Sequence, residues 1–143
     1  MEFLLYLSPM SHEIYQMISH KVRVVENTPV CREHPIFGWY NVSNQTMTFC
    51  TQNIKNYGDV EYYVNETLLH ESAHIAQSCK SADGYSRPFG IPEFDMKLTP
   101  RRIEDVNSAV KLNGEGVRQS EYEAFWMEDK PDKVKYVVQK YCF

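Results

Sequence analysis

The sequence has no long apolar run. No stretch approaches the roughly 20 consecutive apolar residues that a membrane span requires, so no bilayer-crossing helix is expected. It has no basic block either. The densest basic pair is Arg101-Arg102, charges of both signs are mixed along the chain, and the net charge is −4. Nucleic-acid binding depends on a concentrated basic patch, so it has no support here. None of the four cysteines, Cys31, Cys50, Cys79 and Cys142, stands in CxxC spacing. That argues against a zinc knuckle or a thiol redox motif. Repeats, linkers and low-complexity segments are missing too, as in an ordinary globular chain. The apolar run Phe3 to Leu7 is too short for the core of an export signal, and the charge beside it is the acidic Glu2. It is expected to pack into the core, and a cytoplasmic location follows by default. In that setting the cysteines are expected to be free, buried thiols. Three sequons, at Asn41, Asn44 and Asn65, would matter only after export.

The chain has 143 residues, enough for one domain with a real core. Ile14, Met17 and Ile18 recur at helical spacing and predict a helix over Ser11 to Val25. Prolines 29 and 35 mark a loop from Asn27 to Pro35. Ile36 to Asn41 and Gln45 to Thr51 are rich in aromatic and β-branched residues, with Ser43-Asn44 as turn material, and read as a β-hairpin. The longest helical signal runs from Asp59 to Cys79. Ser81 to Pro92 holds two glycines and two prolines and reads as a loop. Thr99-Pro100 opens a further helix to about Leu112, since proline suits a first turn. Val117 to Asp129, and Pro131 to about Cys142, complete the set. The expected class is α+β with a small antiparallel or mixed sheet packed on the Asp59–Cys79 helix, as a single domain over residues 1–143.

That helix carries His70-Glu71-Ser72-Ala73-His74, an HExxH motif. At 100° per residue, Val64, Leu68, Leu69, Ser72, Ala73, Ile75, Ala76 and Cys79 fall on one broad arc. His70 and His74 fall opposite, one turn apart, beside Thr67 and Gln77, and Glu71 lies at the edge between the faces. Two imidazoles at i and i+4 can reach one zinc ion about 2 Å away. Glu71 points past the metal, placed to take a proton from a water that the metal acidifies and to pass it to a leaving amine. The competing reading is a chance HExxH on a surface helix. The amphipathic phase, with neither proline nor glycine in the helix, favours the metal.

A catalytic zinc usually takes three protein ligands. No histidine follows His74. The metzincin pattern HExxHxxGxxH fails, because Gln77 and Lys80 stand where glycine and histidine would be. A downstream ligand must be a carboxylate or Cys79, and Cys79 falls on the apolar arc. Glu121 is the leading candidate. It shares a helix face with Ala124, whose small side chain would let the two helices approach closely. Glu123 points to nearly the opposite face, so the two cannot share one zinc. Glu123 and Glu128 remain in reserve as ligands; otherwise they are expected to be solvated helix surface.

The two motifs together resemble those of the gluzincins, zinc peptidases with HExxH on one helix and a glutamate ligand on a later one. Several of their branches open the second motif as ExEA, and Glu121-Tyr122-Glu123-Ala124 is similar to it. The resemblance covers about residues 60–79 and 117–128. It implies a zincin-like fold, a Zn2+ cofactor on His70, His74 and Glu121, and Glu71 as general base and acid. It also implies an edge strand that pairs with a peptide or protein substrate, for which Gln45 to Thr51 is the candidate. Phe125 departs from the Asp or Asn that often follows the alanine and removes one partner for a metal ligand.

Tyr85, Arg118 and Tyr122 are conceivable oxyanion donors, and Arg118 could instead orient Glu121. His12, His20 and His34 lack ligand spacing and read as surface or packing residues. Trp39 and Trp126 read as core. The Ser81–Pro92 loop is expected to border the cleft as a possible lid. The expected function is zinc-dependent peptide-bond hydrolysis. The main rival is a catalytically inactive zincin-fold protein that binds a partner, and a third reading is a toxin-like protein restricted to one target.

Overall fold

A computed structural model describes residues 1–81 and 85–143. Residues 82–84, part of the loop expected over Ser81 to Pro92, lie outside the described residues. The architecture is α+β: seven α-helices and a mixed three-stranded sheet among the described residues.

The chain opens with a 3-10 turn, Glu2–Tyr6, which buries Phe3. The Phe3 ring stacks on Phe49 with centroids 3.9 Å apart, so the N-terminal segment does pack into the core. Helix α1 spans Pro9–Ile18. It starts earlier than the periodicity suggests because Ser8 accepts a hydrogen bond from the Ser11 amide, and Pro9 suits the first turn. It also stops earlier. Arg23–Glu26 is strand β1 rather than the end of the helix, in keeping with its two adjacent valines. The expected loop contains a short helix, α2, Pro29–Glu33. Strands β2, Gly38–Asn41, and β3, Thr46–Phe49, form the expected hairpin.

The sheet order is β1-β3-β2, with β1 parallel and β2 antiparallel to β3. This corrects the expectation for Gln45 to Thr51. That segment holds the central strand, with both edges already paired, so it cannot take up a peptide by strand addition. The edge strand beside the HExxH helix is β2. Thr51 belongs to a helix, α3, Thr51–Tyr57, which the hairpin reading did not anticipate.

Helix α4, Val60–Cys79, lies at the centre and touches α1, α3, α6, α7 and β2. Asp59 caps it by accepting from the Tyr62 amide at 3.2 Å. Along its apolar arc, Val64, Leu68, Ala73, Ile75 and Ala76 are fully buried. Thr67, Glu71 and Gln77 on the other side are buried as well, so the helix is covered on nearly all sides. Helix α5 spans Pro100–Asn113, α6 Arg118–Met127 and α7 Pro131–Cys142. Val134, Val137, Val138 and Cys142 form the buried stripe of α7, spaced three or four apart as a helix facing a core requires.

Two disulfides, Cys31–Cys50 and Cys79–Cys142, engage all four cysteines. The free-thiol expectation is therefore wrong. The second bond ties the end of α4 to the end of the chain's last helix. No described helix is long and apolar enough to cross a membrane.

Candidate metal centre

His70 and His74 project from α4 towards α6, where Glu121 meets them. The two Nε2 atoms stand 3.2 Å apart, and Glu121 Oε1 lies 2.5 Å from His74 Nε2 and 3.8 Å from His70 Nε2. One ligand atom from each residue fits within 4.8 Å of the others. Two nitrogens each about 2.0–2.1 Å from a tetrahedral zinc would stand about 3.3 Å apart, so the imidazole spacing suits such an ion.

Hydrogen bonding around His74 gives the clearest test of fit. Gln77, fully buried, donates its side-chain amide to Ser120 O at 3.0 Å and to Glu123 Oε1 at 3.1 Å. Its oxygen is thereby turned to His74 Nδ1, 2.8 Å away, and can only accept. His74 must carry its proton on Nδ1, which leaves the Nε2 lone pair of the neutral ring facing the cluster. A hydrogen bond of this kind fixes the ring's tautomer and orientation.

Electrostatics follow from packing a carboxylate against two imidazoles. Burial opposes protonation of His70, but the neighbouring Glu121 carboxylate outweighs it and lifts the imidazole to about 10. His74 is raised in the same way, against its own burial. Burial acts to raise Glu121, yet the two imidazoles hold it far below the usual carboxylate range.

Glu71 follows His70 on α4 but faces β2. Burial pushes its carboxyl up, opposed by the two histidines and the Tyr40 backbone amide. A carboxylate with a raised pKa holds a proton more readily than an exposed one does. Gly38 makes this approach possible. A Cβ there would lie 2.5 Å from Thr67 Cγ2, 3.2 Å from the Thr48 carbonyl oxygen and 3.5 Å from Glu71 Cγ. Only glycine lets β2 come this near to α4.

The two reserve glutamates are not solvated. Glu123 is fully buried and accepts from the amides of Phe89, Gly90 and Ile91 at 2.7, 2.8 and 3.0 Å, as well as from Gln77 and Gln119. It anchors the segment after α4 to α6 and faces away from the histidines. Gly90, with φ +89°, supplies the turn that aims one of these amides. Glu128 is buried too, paired through Oε1 with Arg102 Nε at 3.1 Å. Burial pushes its carboxyl up to about 7, against the pull of His70 and Arg102. Arg102 also holds Glu66 at 3.0 Å and Asp129 at 3.5 Å.

Other candidates fall outside the cluster. Arg118 binds Glu115 and Asn107 and does not orient Glu121. Tyr122 donates to the Met96 carbonyl at 3.1 Å, and Tyr85 is exposed. His12, His20 and His34 are exposed, as expected. Trp39 is 44% exposed, contrary to a core role, and Trp126 is only partly buried, beneath Lys130 and Lys133. Among the sequons, Asn65 spends its side chain on Tyr6 O, Glu61 O and the Ser8 amide, so it is a packing residue.

Fold and cluster together define an α+β protein with a His-His-Glu group able to hold a metal ion. The chain belongs to the family described as a domain of unknown function (DUF8637), whose profile matches residues 3–143. No curated protein and no solved structure matches it.

Proposed function

We propose that the protein is a zinc-dependent peptidase of the gluzincin kind, with a zincin-like fold, and that His70, His74 and Glu121 hold the zinc. The observation that carries this reading is the convergence of both Nε2 atoms and Glu121 Oε1 on one point beside the buried Glu71. When bound, zinc would act as a Lewis acid, polarising a substrate carbonyl and acidifying a water. Glu71 would accept the proton of the attacking water on its carboxylate and deliver it to the leaving nitrogen. The Tyr40 amide holds the Glu71 side chain in place for both transfers. Gln77 keeps His74 Nε2 aimed inward, and Glu123 fixes the distance between α4 and α6 through Gln77. A general base in this position favours catalysis over a purely structural ion, since a structural site has no use for one. The two disulfides support work in an oxidising compartment rather than in the cytoplasm.

The test is purification without chelator, measurement of bound zinc, and comparison of the wild type with Glu71→Gln on a peptide library. Stoichiometric zinc in both proteins and cleavage by the wild type alone is the expected result. Zinc content unaffected by combined His70→Ala and His74→Ala, or equal cleavage by Glu71→Gln, overturns the proposal.

A further inference from the structure

His70 differs from His74 in one respect. His74 Nδ1 has Gln77 as its partner, whereas His70 Nδ1 is buried with no hydrogen bond. Leaving a buried ring nitrogen without a partner is unfavourable, and a metal ligand without an orienting bond is free to rotate. The nearest carboxylate oxygen to it is Glu128 Oε2 at 3.9 Å. Glu128 is four per cent exposed and caps the C-terminal end of α6. It stands seven residues after Glu121, two helical turns on, so both carboxylates leave α6 on the same side. Its other oxygen is fixed by Arg102, itself held by Glu66 and Asp129. Phe125, between the two glutamates, packs edge-on against the His70 ring with centroids 4.4 Å apart and offers no acceptor.

We infer that Glu128 is the positioning residue for His70: its Oε2 accepts the Nδ1 proton when Nε2 binds the metal, and the Arg102 network holds it there. The inference rests on the zinc site proposed above. A shift of less than 1 Å closes the 3.9 Å gap to hydrogen-bond length. It explains why a carboxylate is buried here with one oxygen turned away from its arginine. Glu128 touches no substrate in this scheme and acts only through His70.

The experiment measures zinc affinity by chelator competition for the wild type, Glu128→Gln and Glu115→Gln, with thermal stability of each metal-free protein recorded separately. Glu115→Gln neutralises an exposed carboxylate that pairs with Arg118, outside the Arg102 network. The expected result is a loss of roughly 10–100-fold in zinc affinity for Glu128→Gln and wild-type affinity for Glu115→Gln. Nitrogen-edited proton NMR of the zinc-loaded wild type should show a downfield His70 Nδ1 proton, a readout that does not depend on the variant folding. Zinc binding by Glu128→Gln within twofold of the wild type, or absence of that proton, overturns the inference while the zinc site stands. A wild type that binds no zinc overturns both.

Discussion

Gly38→Ala tests whether β2 lies against α4 as closely as the structure places it. The added methyl would meet Thr67 Cγ2 at 2.5 Å, nearer than side-chain carbons approach, and the Thr48 carbonyl at 3.2 Å. Thr67 is on the central helix and Thr48 on the central strand, so neither can withdraw freely. Overpacking of this kind costs about 1–3 kcal/mol. For a chain of this size that is a fall in melting temperature of roughly 3–12 °C, followed by circular dichroism. Removing the obstructing methyl by Thr67→Ser should restore part of the loss, so the double variant should melt above Gly38→Ala. The coupling between the two sites should be about 1 kcal/mol, as for residues in contact. Because Glu71 Cγ is 3.5 Å from the same point, peptide cleavage should fall further than stability explains, with zinc content unchanged. Gly38→Ala melting within 1 °C of the wild type, or no recovery with Thr67→Ser, would refute this account of the β2–α4 contact.

Three other outcomes follow from the same contacts. Replacing Cys79 and Cys142 by serine removes a cross-link across 63 residues, a loss of about 4 kcal/mol on chain entropy, against about 3 kcal/mol for the 19-residue Cys31–Cys50 link; urea denaturation of the two variants should rank them in that order. Glu123→Ala strips three backbone amides of their acceptor and should cost roughly 3 kcal/mol or more, with faster hydrogen exchange at Phe89, Gly90 and Ile91 as the local sign. A zinc ion bound as proposed would compete with protons at His70, whose imidazole is lifted to about 10 by Glu121. The raised folded value stabilises the metal-free protein below the unfolded value of about 6.5, and this contribution is lost as pH climbs towards 10. Zinc affinity should therefore rise with pH over that interval. Calorimetry in buffers of different ionisation heat should detect proton release on zinc uptake near pH 7.5, and a pH-independent affinity would contradict it.

The sequence was most legible where chemistry and helical period coincide. His70 and His74, one turn apart on the polar side of a long amphipathic stretch, imply a shared target, and the ExEA pattern leads to Glu121. Longer-range pairing left weaker traces. Val24 and Val25 continue an apolar pattern that serves a helix or a strand, and their parallel partner lies more than twenty residues further on. The Thr46–Phe49 strand therefore looked like an edge although it is the middle of the sheet. Glu123 and Glu128 look like solvated helix residues in one dimension, because the amides and the arginine that bury them come from other parts of the chain. Cysteines 19 and 63 residues apart leave no local signature of their bonds.

Helix α6 presents Glu121 to the histidines and Glu123, two residues later, to the backbone amides of the preceding segment. One inserted residue in this ten-residue helix turns everything beyond it by about 100°, so no single-residue gain or loss between the two can preserve both duties. Length variation across the family should therefore be excluded from residues 121–123 and be found in exposed connections instead. The helix sets a rule for how the gene can change in length, and an alignment of family members can read that rule directly.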